Sequence, residues 1–109
     1  MEAAPPSPLG VADLSDDERK NGLYLHKTLW AVSPDARSDI TIQAKSVPGQ
    51  RPVRFFDGQT TRRQLRFPRP RGVWSYATTT TLLPGAGCFE FQARSRGYDQ
   101  RIRFEAVVR

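Results

Sequence analysis

The chain has 109 residues, of which 38% are apolar and 26% charged, and it carries a net charge of +6 at pH 7. That length suits one domain with one modest core, and no apolar run approaches the ~20 residues of a membrane-spanning helix. The single cysteine excludes an internal disulfide, so packing alone must hold the fold.

Charge is spread unevenly. Residues 1–18 hold five acids and no base, which leaves all 17 basic residues and the other six acids to the rest of the chain. Fourteen of the 17 are arginine, whose planar fork suits phosphate, sulfate or carboxylate.

Residues 1–20, "MEAAPPSPLGVADLSDDERK", lack the basic start, apolar middle and small-residue cleavage site of a signal peptide. Two locations follow. The protein is cytoplasmic as the chain reads, or extracytoplasmic if this is a mature segment behind a start methionine. Prolines 5, 6 and 8 fix φ and remove donors, so residues 1–20 read as a flexible, acidic, Pro-rich lead. "PPSP" matches a PxxP ligand, but a plain linker is the simpler reading. Ser15 and Glu18 would form the capping box of one short helical turn. Residues 21–109 form the domain.

From residue 23 the pattern becomes that of strands. "LYLHKTLWAV" is bounded by Asn21-Gly22 and by Ser33-Pro34-Asp35, which are strand limits. "DITIQAK" alternates Ile40, Ile42 and Ala44 against Asp39, Thr41, Gln43 and Lys45, the period of a half-buried strand. "VRFF", "RQLRF" and "VWSYATTTTLL" follow, separated by turn signals at Asp57-Gly58 and at Pro68 and Pro70. "CFEFQAR" and "QRIRFEAVVR" alternate again. About seven strands at short, regular spacing and no convincing helix predict an all-β, immunoglobulin-like antiparallel β-sandwich.

Pro84, Gly87, Cys88, Phe89, Glu90, Phe91, Ile102, Phe104 and Val107 mark a closing hairpin. It runs proline-glycine turn, Gly-Cys-aromatic-Glu-hydrophobic, short turn, final apolar strand. This quarter of the chain resembles the closing hairpin of immunoglobulin-like domains in bacterial envelope and secreted proteins. The resemblance implies a non-catalytic binding or accessory domain of that setting, with a protein or glycan partner. It implies no catalytic residues.

Signatures of chemistry are sparse. Cys88 has one histidine to recruit, His26, and neither a helix N-terminus nor a second cysteine beside it. It reads as a small structural residue packed at a strand start, although alternation places it opposite Phe89 and Phe91. His26 shares the parity of Tyr24 and Trp30 and reads as a surface or boundary residue. Asp35, Asp39, Asp57 and Asp99 sit in or beside turns, where aspartates bond nearby backbone. No phosphate loop, HExxH or GxSxG occurs. The expectation is no enzyme, no cofactor and no metal.

The strongest remaining signal is residues 51–74. Arg51, Arg54, Arg62, Arg63, Arg66, Arg69 and Arg71 face Asp57 alone, interleaved with Phe55, Phe56, Phe67 and Trp74. Arginines for phosphates and aromatics for base stacking are what single-strand binders combine. The second function expected is therefore a basic module for nucleic acid or another polyanion. In the plainer reading, the aromatics face the core and the arginines keep strand edges soluble. Trp74, Phe89 and Phe91 are expected as structural residues. Trp30, Trp74 and Tyr76 could stack on sugars, but in so short a chain they read as core.

Overall fold

A computed structural model describes residues 10–15 and 19–108. Ten strands follow one another: β1 (Gly10–Leu14), β2 (Arg19–Lys20), β3 (Leu23–Val32), β4 (Ile40–Val47), β5 (Pro52–Phe56), β6 (Thr61–Arg62), β7 (Leu65–Phe67), β8 (Ser75–Leu83), β9 (Gly87–Ser95) and β10 (Tyr98–Val108). The fold is all-β, with no helix among the described residues, hence none long and apolar enough to cross a membrane. The seven strands read from alternation are β3, β4, β5, β7, β8, β9 and β10.

The strands form one mixed sheet in the order β1-β10-β9-β4-β5-β8-β3-β2, with β6 beside β5 and β7 beside β4, curled into a half-barrel. β5 makes the curl. Its first residues pair with β4 (Ala44↔Val53) and its last with β8 (Phe56↔Thr80). Beyond the point where β5 leaves, β7 takes its place beside β4 (Ile40↔Phe67).

Two stretches read as flexible lead depart from expectation: residues 10–14, and residues 19–20, which pair as β2 with β3. Residues 10–14, read as part of a flexible lead, are β1, and they pair in parallel with β10 from Gly10↔Phe104 to Leu14↔Val108. Ala12 and Leu14 are buried in the core, Leu14 only 2% exposed. Alternation decides which residues: Ala12 and Leu14 share a parity, and the exposed Asp13 takes the other. This parallel pair also makes the sheet mixed rather than purely antiparallel. The capping-box reading depends on residues 16–18, and the PxxP reading on residues 5–8; both lie outside the described residues. Asn21 and Gly22 adopt φ of 51° and 82°, the left-handed pair that a type I′ turn needs to join β2 to β3.

The core lies inside the curl. Phe91 is its hub: Phe104 stacks on it at 5.0 Å, Phe55 at 6.4 Å, and Trp30 meets it edge-on at 5.1 Å. Each such pair contributes about 0.5–1.5 kcal/mol beyond area burial. Phe89, Ile42, Ala44, Leu83 and Tyr24 complete the packing. Phe89 and Phe91 are both buried.

The two ends of the half-barrel differ. One end carries the turns after β4 and β8 and the paired β1. The other, the mouth, carries residues 33–39, 68–74 and 95–97. At the mouth, residues 98–103 of β10 and 25–32 of β3 have no strand on their outer side among the described residues.

Candidate binding site at the open mouth

Three loops build the mouth. In the first, Pro34 presets a tight turn in which the Ala36 amide donates to the Ser33 carbonyl at 3.1 Å and the Asp35 amide to Ser33 Oγ at 3.1 Å. Ser38 then fastens this loop to the β9–β10 turn. Its Oγ lies 2.9 Å from Ser95 Oγ and accepts from the Arg96 amide at 2.9 Å, while Ser95 Oγ donates to the Ser38 carbonyl at 3.1 Å. Gly97, at φ 70°, supplies the left-handed residue of that turn. The third loop is tied to the first through Asp39, which accepts from Arg66 Nε at 3.1 Å and from the Arg69 amide at 3.0 Å. These two donors, the amide first, hold the Asp39 carboxyl below its ordinary pKa.

Between these loops lies a cavity of about 620 Å³, within the range of small-ligand pockets. Its floor is Ile40, Ile42, Ala93 and Ile102; its walls include Trp30, Phe67 and Trp74. Trp30 is fixed by its Nε1 donating to Thr79 Oγ1 at 2.8 Å. The rim is polar: Ser33, Asp35, Arg37, Arg96, Tyr98 and Gln100. The Tyr98 hydroxyl bonds to Gln100 Oε1.

Trp74 is corrected by this picture. Expected as a packed structural residue, it is 54% exposed, because β8 begins one residue later and leaves it in the loop. Tyr76 is 65% exposed on the outer side of β8, so only Trp30 of the three large aromatics packs against the core.

The seven arginines of residues 51–74 are all exposed, but they do not share one short segment. Arg51 lies at the turn after β4, Arg54 on β5, Arg62 on β6, Arg66 on β7, and Arg63, Arg69 and Arg71 in loops. Arg62 pairs with Asp57 at 2.9 Å and Arg66 with Asp39 at 3.0 Å. Asp57 also accepts from the amides of Thr60 and Gln59; these amides, with Arg62 third, push its carboxyl far below the usual range. Of the interleaved aromatics, Phe55 is core, Phe56 and Phe67 are half-buried, and Trp74 alone is exposed. The ring faces that base stacking needs are therefore mostly turned inward.

Cys88, expected buried, is exposed. Alternation wins over its apolar character: Phe89 and Phe91 take the inner face, and no bulge resets the parity. His26 lies inside, half-buried, stacked on Phe104 at 5.6 Å, and desolvation lowers its pKa below 6.5. Since Phe104 pairs with Phe89, His26 and Cys88 occupy opposite faces of the β9–β10 ribbon. On the outer face, Glu90 is 2% exposed beneath Arg103, whose Nε donates to Oε2 at 3.0 Å, and Lys45 at 3.7 Å from Oε1.

Sequence reasoning missed Arg37 and Arg96. Their one legible signal is that both fall in turns which successive up-and-down strands bring to the same end. No family model, curated protein or solved structure matches the chain.

Proposed function

We propose that this protein is a non-catalytic binding domain that takes its partner at the open mouth of the half-barrel. The observation that carries the reading is the apolar cavity flanked by Trp30 and the exposed Trp74. A large apolar ring left in a loop at the lip of such a cavity is the usual anchor of a binding surface. An immunoglobulin-like kinship and a bacterial envelope or secreted setting belong to the same proposal. They are supported by the β9–β10 hairpin, where the Gly-Cys-aromatic-Glu motif sets Phe89 and Phe91 into the core.

Amide and indole NMR, with candidate ligands titrated in, tests the reading. Bound ligands should shift the Trp30 and Trp74 indole signals together with amides of residues 33–37 and 95–102. Shifts confined to the region of Arg51 and Arg54, with the mouth unmoved, would overturn it and favour a polyanion surface.

A further inference from the structure

Resting on the reading of the mouth as the binding site, we infer that its ligand is a small amphiphilic anion. The apolar body lies against Ile102, Phe67 and the two tryptophans, and the anionic head meets Arg37 and Arg96.

The charges at the rim differ in whether they are already satisfied. Asp39, two residues after Arg37, is held by Arg66 and the Arg69 amide. It does not neutralise the rim. Among the described residues Arg37 and Arg96 make no ion pair, and the Arg96 hydrogen bond uses its backbone amide, not its guanidinium. The Ser38–Ser95 contact fastens their two turns together, so both arginines stand over one opening. Among the described residues Asp35 is the sole carboxylate on the cavity wall, and its hydrogen bond too is made by its amide. Two unpaired guanidiniums face one carboxylate, so the rim favours an anion over a cation. Arginine suits a carboxylate or sulfonate head, which it can hold by two parallel hydrogen bonds. A neutral sugar would leave both arginines unpaired and would meet a floor of isoleucine and alanine with few hydrogen-bonding groups. Arg69 and Arg71, exposed on the loop that carries Trp74, extend the same positive field across the opening.

The chain's two tryptophans both line the cavity, so intrinsic fluorescence reports occupancy without a label. The probes are decanoate, decyltrimethylammonium, decanol and cellohexaose. Decanoate should change the fluorescence saturably and bind about tenfold or more tightly than decyltrimethylammonium, the scale of a charge-assisted hydrogen bond. Replacing both arginines, Arg37→Gln with Arg96→Gln, should weaken decanoate about tenfold and leave decanol unchanged. Asp35→Asn should strengthen decanoate. A purely structural role would not give opposite signs at the two kinds of rim residue, and unchanged melting temperatures would establish that the variants fold. If decyltrimethylammonium, decanol or cellohexaose binds as well as decanoate, the mouth remains a binding site and the anion inference fails. If none of the four alters the fluorescence, both fall.

Discussion

The two ends of the half-barrel are built from the same strands yet do opposite things. At one end β1 lies along β10, Leu14 and Ala12 fill the space between the walls, and Phe89, Phe104, Tyr24 and Leu83 close around them. At the other end β10 and β3 lack outer neighbours among the described residues, β7 substitutes for the departing β5, and the walls enclose a cavity above the core. The difference is one five-residue strand. Where it pairs, apolar surface is buried against apolar surface; where it stops, the same inner face is left for something else.

The comparison predicts a graded set of effects. Phe91→Ala, removing the hub of the aromatic packing, should cost about 3–5 kcal/mol, and Leu14→Ala about 2–5 kcal/mol, read from chemical denaturation. Trp74→Ala at the mouth should change stability by no more than about 0.5 kcal/mol while abolishing ligand-dependent shifts. Equal costs at Leu14 and Trp74 would erase the distinction between the two ends. Glu90→Gln should cost about 1–3 kcal/mol, because the buried carboxylate that Arg103 and Lys45 cover is lost from beneath them.

His26 gives a smaller effect that depends on pH. Desolvation lowers its pKa in the folded chain, so the unfolded chain binds the proton more readily. Its contribution is present above pH 6.5 and is lost as pH falls through the lowered folded value. Denaturation midpoints at pH 7.5 and 5.5 should therefore differ, and His26→Phe should reduce the difference. Asp39 and Asp57 titrate below this window. The smallest effect belongs to Cys88. It should alkylate fully in the native protein, and Cys88→Ser should leave stability within about 0.5 kcal/mol. A thiol unreactive until unfolding would mean that the outer face near the end of β10 is covered.

The long strands were legible in the sequence because period-two alternation is a local property: Ile40, Ile42 and Ala44, or Phe89, Phe91 and Ala93, need no knowledge of the rest of the chain. Where the structure departed from expectation, the cause was non-local. β1 owes its existence to a parallel register with the far end of the chain, which five residues beside a proline-rich stretch do not announce. β2 and β6 have two residues each, too few to alternate. Trp74 read as core from its type, but the strand it would have joined begins after it. The candidate site was the least legible of all. Arg37 and Arg96 stand in separate, unremarkable turns, which the Ser38 contact joins. The conspicuous arginine run, by contrast, is dispersed over strands and loops.

The parallel pairing of β1 with β10 has a further consequence for how the domain would bear tension. A pull on the chain before Gly10 and after Val108 drives the two strands past each other along their length. All five paired positions are then loaded together, instead of parting one by one as in a peeled hairpin. The join that completes the core is thus also a mechanical clamp, set in the shear direction, and it would yield at higher force than an antiparallel pairing of the same length, which the same pull would peel.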